Sequence, residues 1–282
     1  MHWFTLLAML STASAGTIVD STNATVEANN PQRIVTVAGN VSETVFALGV
    51  GGNVVGVDAS SLFPAAVHQL PKVGYYRSIN AEGILSLSPD LVIATDSAGP
   101  PAVIEQIRGA GIPIAVLDSA QSFEGAQRRV TQIAKLLDRT DEGADLTASM
   151  ATELSAMSKP ETAPRVLFIY ARGSGTQNVA GTETAANAMI ELAGGKNAVS
   201  EYTGYKPMNA EAMIQANPDY ILFTQRGLES IGGLEAAAKL NGIAQTPAGQ
   251  NKKIIAIDDL LLLGFGPRTS QGAIELSKAL QQ

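Results

Sequence analysis

"VGYYRSINAEGILSLSPDLVIAT", Val73 to Thr95, returns in outline as "YKPMNAEAMIQANPDYILFT", Tyr205 to Thr224. Asn80-Ala81-Glu82 and Asn209-Ala210-Glu211 stand 129 positions apart. The same offset pairs Pro89-Asp90 with Pro218-Asp219, Thr95 with Thr224, and Tyr76-Arg77 with Tyr205-Lys206. Each copy has the same physical grammar. Asn80 and Asn209 are N-cap residues by type, and a carboxylate two positions later falls in the first helical turn, where the helix dipole favours it. Apolar residues follow at Ile84, Leu85 and Leu87, and at Met213, Ile214 and Ala216. A proline then disfavours helical geometry in the residue before it and ends the helix. "LVIA" and "YILF" come next, short apolar runs of the kind buried on both faces of a sheet. An in-register helix–turn–strand match predicts a duplicated architecture.

Working outward, Ile34–Val37, Val54–Val57, Ile114–Leu117, Val166–Ile169 and Ile254–Ile257 read as further short strands between helical patterns and Gly/Pro turns. That alternation predicts α/β lobes. Between the halves, Ser122 to Pro160 carries Val130, Ile133, Ala134 and Leu137, then Leu146, Met150, Leu154 and Met157, at helical spacing. The expected architecture is two α/β lobes, residues 16–121 and 161–282, joined by a long connecting helix over 122–160, with a ligand cleft between them.

The chain begins "MHWFTLLAMLSTASAGT". An apolar run from Trp3 to Leu10 leads to Ala13-Ser14-Ala15, an A-x-A cleavage pattern, so residues 1–15 read as a signal peptide and export is expected. Its positive n-region is weak, because only the terminal amine and His2 precede the apolar run. The 282 residues carry a net charge of −7, which offers no global basic field for nucleic acid or an anionic membrane. An anionic ligand must therefore meet local arginine or lysine. The absence of cysteine excludes disulfides, thiolate metal sites, cysteine nucleophiles and a lipidated N-terminal cysteine, and two histidines leave little for a zinc cage or a Ser-His-Asp triad.

Candidate chemistry is correspondingly sparse. "GVGGNVVGVD", Gly49 to Asp58, lacks the phosphate-loop pattern and reads as a helix end turning into a strand. "YARGSGTQNVAG", from Tyr170, has Asn178 where a third glycine belongs, so neither loop supports nucleotide binding. Glu82 and Glu211 are either ordinary N-terminal helix charges or a symmetric pair of docking carboxylates. In Tyr75-Tyr76-Arg77, a phenolic oxygen can ligate a hard ferric ion when a nearby cation stabilises its anion; the plain alternative is loop packing with a solvated arginine. His68 reads as a surface residue or a second ligand. Arg226 directly follows the second copy's strand and is either a cleft-facing cation or a helix cap.

Taken together, "VGYYRSINAEGILSLSPDLVIA", "AGPP" at Ala98–Pro101, "TQRGLESIGG" from Thr224 and "LLLGFGPRT" from Leu261 resemble the periplasmic haem-binding proteins of bacterial ABC haem importers. "RIVTVAGNVSETVFALGVGGNVVGVD", from Arg33, resembles the wider helical-backbone (class III) substrate-binding proteins, which also serve vitamin B12 and ferric siderophores. The likeness runs from about Pro31 to the end. It implies Tyr75 as the haem-iron ligand and Arg77 as the cation supporting its phenolate. Arg226 would reach the haem or its propionates, and Tyr76 would form a cleft wall. With no histidine beyond His68, it implies tyrosine-only ligation. Glu82 and Glu211 fall where the class places one permease-docking glutamate per lobe. The implied role is that of a monomeric periplasmic carrier, not an enzyme. It would deliver haem as cargo to an ABC permease dimer and its ATPase subunits. A ferric siderophore or a corrinoid is the alternative cargo.

Overall fold

The computed structural model describes residues 16–173 and 177–282; the expected signal segment, 1–15, lies outside the described residues. Its first half is built on a four-stranded parallel sheet in the order Val54–Val57, Ile34–Val37, Leu91–Thr95, Ile114–Leu117. Every residue of Ile34–Val37, Leu91–Thr95 and Ile114–Leu117 is buried, as continuous apolar strands covered on both faces require.

The second half holds a six-stranded mixed sheet in the order Tyr205–Pro207, Asn178–Ala180, Arg165–Tyr170, Tyr220–Thr224, Ile254–Ile257. Its last three strands run parallel, Asn178–Ala180 and Tyr205–Pro207 are antiparallel additions, and Lys196–Asn197 pairs with the start of Arg165–Tyr170. The seven strands expected from apolar runs are all present. The short antiparallel strands are not apolar runs, and their sequences carry no strand period.

The repeated sequence is a repeated structure. Leu91–Thr95 and Tyr220–Thr224 are internal strands of their sheets, and the helices Ala81–Leu85 and Ala210–Ala216 precede them. Asn80 accepts a hydrogen bond from Gly83 N–H at 2.6 Å, and Asn209 one from Ala212 N–H at 2.8 Å, as N-caps do. The Pro-Asp turns carry a matching clamp. Asp90 accepts the backbone N–H of Arg33 at 2.9 Å, and Asp219 that of Arg165 at 2.8 Å. Those arginines in turn donate to carbonyls at the preceding helix end, Arg33 to Leu87 and Ser88, Arg165 to Ala216. Each clamp thus ties the start of one strand to the end of a helix more than 50 residues away and satisfies carbonyls the helix leaves unpaired.

The connecting segment is helical but is not one helix. Phe123–Leu136 and Thr140–Ser155 form a hairpin broken at Asp138, whose φ is +55°. The break arises because Arg139 N–H bonds back to Ala134 O at 2.8 Å, a turn the helical periodicity alone does not encode. Phe123–Leu136 serves two cores at once. Ala126 and Val130 pack with the second half, and Ile133, Ala134 and Leu136 with the first.

The halves also meet at the segment Gly264–Arg268. Glu43, 3% exposed on the helix Gly39–Ala47, pairs with Arg268, whose guanidinium lies over the Phe63 ring at 3.7 Å. Asn40 donates to Gly264 O at 2.8 Å. Burial pushes the Glu43 carboxyl above its ordinary value of 4.5, against the stabilising bond and charge of Arg268. A raised folded-state value means that stability is fully present below the ordinary carboxyl range and is lost as pH rises through the raised value. Arg268→Ala removes the opposing cation and raises the value further. We expect that variant to lose about 3 kcal/mol at neutral pH and to recover part of the deficit as Glu43 protonates. Urea unfolding at neutral pH and again near the ordinary glutamate value checks both; a deficit that grows on acidification contradicts the assignment.

Candidate functional site

Tyr75 and Tyr76 lie in a tight hairpin in which Gly74–Tyr75 pairs antiparallel with Ser78–Ile79. Gly74 has φ +103°, a conformation L side chains rarely adopt, which accounts for a glycine at the hairpin's entry. Four backbone bonds pin the hairpin. Ala59 N–H donates to Gly74 O at 2.7 Å and Gly99 N–H to Tyr76 O at 2.9 Å, while Ile79 N–H donates to Gly99 O at 3.0 Å. The fourth runs from Tyr76 N–H to the Asp58 carboxylate at 3.2 Å. The "AGPP" segment therefore braces the two tyrosines through its backbone, a role invisible in its side chains.

The two rings meet edge to face, with centroids 4.6 Å apart. Tyr75 is 40% exposed, whereas Tyr76 is half-buried and packs against the apolar core of the first half. Arg77 stacks over Tyr76, its Cζ 5.2 Å from the ring centroid, and no hydrogen bond from Arg77 to Tyr75 is present among the described residues. Burial pushes the Tyr76 hydroxyl far above its ordinary range and the adjacent Tyr75 hydroxyl pushes it further, while the Arg77 charge opposes both. Tyr76 is thus the more buried phenol of the pair and Tyr75 the accessible one.

The second half holds aromatic and cationic residues that sequence reasoning did not single out as a site. Tyr205 lies 5.8 Å from Tyr170 and 6.3 Å from Phe168, between ring centroids, and Arg172 sits over the Tyr170 ring at 5.3 Å. The Tyr205 ring is exposed, but its hydroxyl end is tucked toward Ala186 N–H and the Thr184 hydroxyl at the start of the helix Ala185–Leu192. Burial pushes that hydroxyl up, and these two bonds and the charge of Arg77 pull it down. Arg77 belongs to the first half and Tyr205 to the second, and the charge of one reaches the hydroxyl of the other. A signal existed: Tyr170-Ala171-Arg172 repeats the Tyr-x-Arg spacing of Tyr75 and Arg77, and Tyr205 is the repeat partner of Tyr76.

An open depression of about 480 Å³ between the halves is lined by Ser119, Ala120 and Gln121 from the first and by Glu183, Thr184 and Asn187 from the second. Its size suits a small-molecule site. Its lining is mostly polar.

The remaining candidates are placed as follows. Arg226 is exposed at the start of the helix Gln225–Ser230, and its backbone N–H donates to Asp259 at 3.0 Å. Burial raises the Asp259 carboxyl, while that bond, the Thr224 side chain and the Arg226 charge lower it. Glu82 and Glu211 are both exposed in first helical turns, one in each half. His68 is exposed in the short helical turn Ala65–Gln69. Among the described residues, no helix is long and apolar enough to cross a membrane.

With this geometry in view, the comparisons with known proteins are specific. The solved structure of the apo periplasmic heme-binding protein RhuT from Roseiflexus sp. RS-1 is 43% identical with a TM-score of 0.85, covering 89% of this chain and 98% of that one. The periplasmic heme-binding protein HutB of Vibrio cholerae is 36% identical with a TM-score of 0.80, covering 89% and 99%. A vitamin B12-binding protein of Vibrio parahaemolyticus is 26% identical over 88% of this chain and 90% of its own length. The periplasmic binding protein family matches residues 34–261, and the chain belongs to that family.

Proposed function

We propose that the protein captures haem in the cleft between its halves and delivers it to an ABC permease. The observation that carries this reading is the tyrosine–arginine hairpin Tyr75–Arg77 in the first half and the cluster of Tyr170, Arg172 and Tyr205 in the second, in a fold similar at 43% identity to a protein named for haem binding. Tyr75, exposed toward the cleft, ligates ferric iron through its phenolic oxygen. Tyr76, half-buried, forms the wall beside it. Arg77, stacked over Tyr76, supports the Tyr75 phenolate by its charge, and Arg226 meets a propionate from the second half. The rest of the porphyrin lies between aromatic side chains, where its apolar area leaves water. The protein holds and releases its cargo without chemistry and is not an enzyme.

In this reading residues 1–15 direct export and are removed, 16–121 and 161–282 are the lobes, and 122–160 joins them. The mature protein acts as a periplasmic monomer. Glu82 and Glu211, equivalent in the repeat, dock on the two equivalent faces of a two-fold permease dimer, whose ATPase subunits drive release.

A corrinoid is the second reading, favoured by the similarity to a vitamin B12-binding protein. Visible-absorption titration of the mature protein with ferric haem, beside Tyr75→Phe and Tyr76→Phe, separates the two. We expect a saturable high-spin tyrosinate spectrum that Tyr75→Phe abolishes and Tyr76→Phe retains with weaker binding. No saturable change with haem, and saturation by cyanocobalamin, would transfer the proposal to corrinoids. For docking, the double variant Glu82→Ala, Glu211→Ala is expected to bind haem like the parent while uptake in cells or proteoliposomes falls at least tenfold, about 1.4 kcal/mol of lost docking energy. Undiminished uptake would remove these two carboxylates from the docking role.

A further inference from the structure

The Tyr75–Tyr76 hairpin hangs from a buried carboxylate. Asp58 ends the strand Val54–Val57 and is 0% exposed, yet it forms no ion pair among the described residues. Lys72, whose ammonium feels the Asp58 charge, donates instead to Val67 O at 2.9 Å. Four donors surround the two carboxylate oxygens. Oδ1 accepts from Ala38 N–H at 3.1 Å and from the Ser61 hydroxyl at 2.9 Å. Oδ2 accepts from Ser60 N–H at 2.9 Å and from Tyr76 N–H at 3.2 Å.

The network extends inward. Ser61 Oγ is 2.6 Å from Ser42 Oγ, which is 2.7 Å from Thr36 Oγ1, and none of these side chains is more than 1% exposed. A buried polar network surrounded by apolar packing costs desolvation that hydrophobic side chains of similar volume would avoid, and what it supplies in return is a defined geometry. The group whose geometry is defined here is Tyr76 N–H, one residue from the phenol exposed to the cleft. The other three donors fix Asp58 itself, through the start of the helix Gly39–Ala47 and the loop at Ser60–Ser61.

We propose that Asp58 is a positioning residue for ligand capture: it holds the tyrosine hairpin at the depth and angle that let Tyr75 reach the iron. The inference rests on the haem reading for its ligand, but the placement of the hairpin does not. Asp58 touches no ligand and acts only through the Tyr76 backbone. Ser61→Ala is the informative control, because it disturbs the same buried network and leaves the Tyr76 bond in place. Asp58→Asn puts an amide N–H₂ where at least one backbone N–H needs an acceptor.

Haem dissociation, the tyrosinate–iron charge-transfer band and thermal unfolding are measured for the parent, Asp58→Asn and Ser61→Ala. We expect Asp58→Asn to shift the band and speed haem loss roughly ten- to hundredfold, the range seen when a partner that orients a metal ligand is removed. Ser61→Ala is expected to lower the unfolding temperature without moving the band. Parent-like band and dissociation in a folded Asp58→Asn whose Tyr76 amide exchanges faster than the parent's would overturn the proposal, as would equal band shifts in both variants. A parent with no haem spectrum is a failure of the haem reading alone. Hydrogen exchange at the Tyr76 amide then decides the positioning claim without haem, and does the same if Asp58→Asn does not fold. Slow exchange in the parent supports it, and exchange at the rate of an exposed loop overturns it.

Discussion

Arg129 is a cation with 2% of its surface exposed, and three elements of the protein meet on it. It projects from the helix Phe123–Leu136 and donates to Asp118 O and Ala120 O, each at 3.0 Å, and to Phe265 O at 2.7 Å. Burial pulls its guanidinium below the ordinary arginine range, and the Asp118 carboxylate at 3.5 Å is the main opposing influence. An isolated buried guanidinium would be costly; this one is held by carbonyl acceptors from both halves and a nearby carboxylate. Losing any one acceptor would leave part of the charge uncompensated, so its partners are held in one arrangement. That arrangement fixes Ser119–Gln121, the first half's share of the cavity lining, against the loop that carries Phe265.

Arg268 acts on the same loop from the other side, pairing with Glu43 and covering Phe63. Between the two arginines, the segment Gly264–Arg268 is tied to the connecting helix and to the helix Gly39–Ala47. The connecting helix itself contributes side chains to the cores of both halves. Two packed cores sharing one helix, with buried charges locked across the junction, resist the wide rotation of a hinge. Ligand capture in such a frame falls to side chains and loops at the cleft mouth.

The two halves hold their aromatic residues in unlike ways. The first supplies a hairpin pinned by backbone bonds at Gly74, Tyr76 and Ile79. The second supplies rings whose positions come from packing, with Tyr205 beside Tyr170 and Phe168 and with Tyr170 capped by Arg172. Cations on both sides suit a ligand with a flat apolar body and anionic edges.

Much of the fold was legible locally. Strands such as Leu91–Thr95 announce themselves as unbroken apolar runs, and Asn80 and Asn209 cap helices where the residue type and the following pattern predict. The 129-residue repeat located the central strand of each lobe and the two exposed glutamates. Asp90 and Asp219 were visible as turn residues, but not as clamps on Arg33 and Arg165, because those bonds span 57 and 54 residues. The break at Asp138 and the antiparallel strands Asn178–Ala180 and Tyr205–Pro207 carry no periodic signal. Tyr170, Arg172 and Tyr205 come together only when the second sheet forms. Asp58 reads in the sequence as the end of a strand, and its four donors come from positions 38, 60, 61 and 76. Period, capping and turn chemistry are short-range and are written in neighbouring residues. Which buried charge meets which backbone group, across separations reaching 225 residues for Glu43 and Arg268, is decided only when the packed cores bring those groups together.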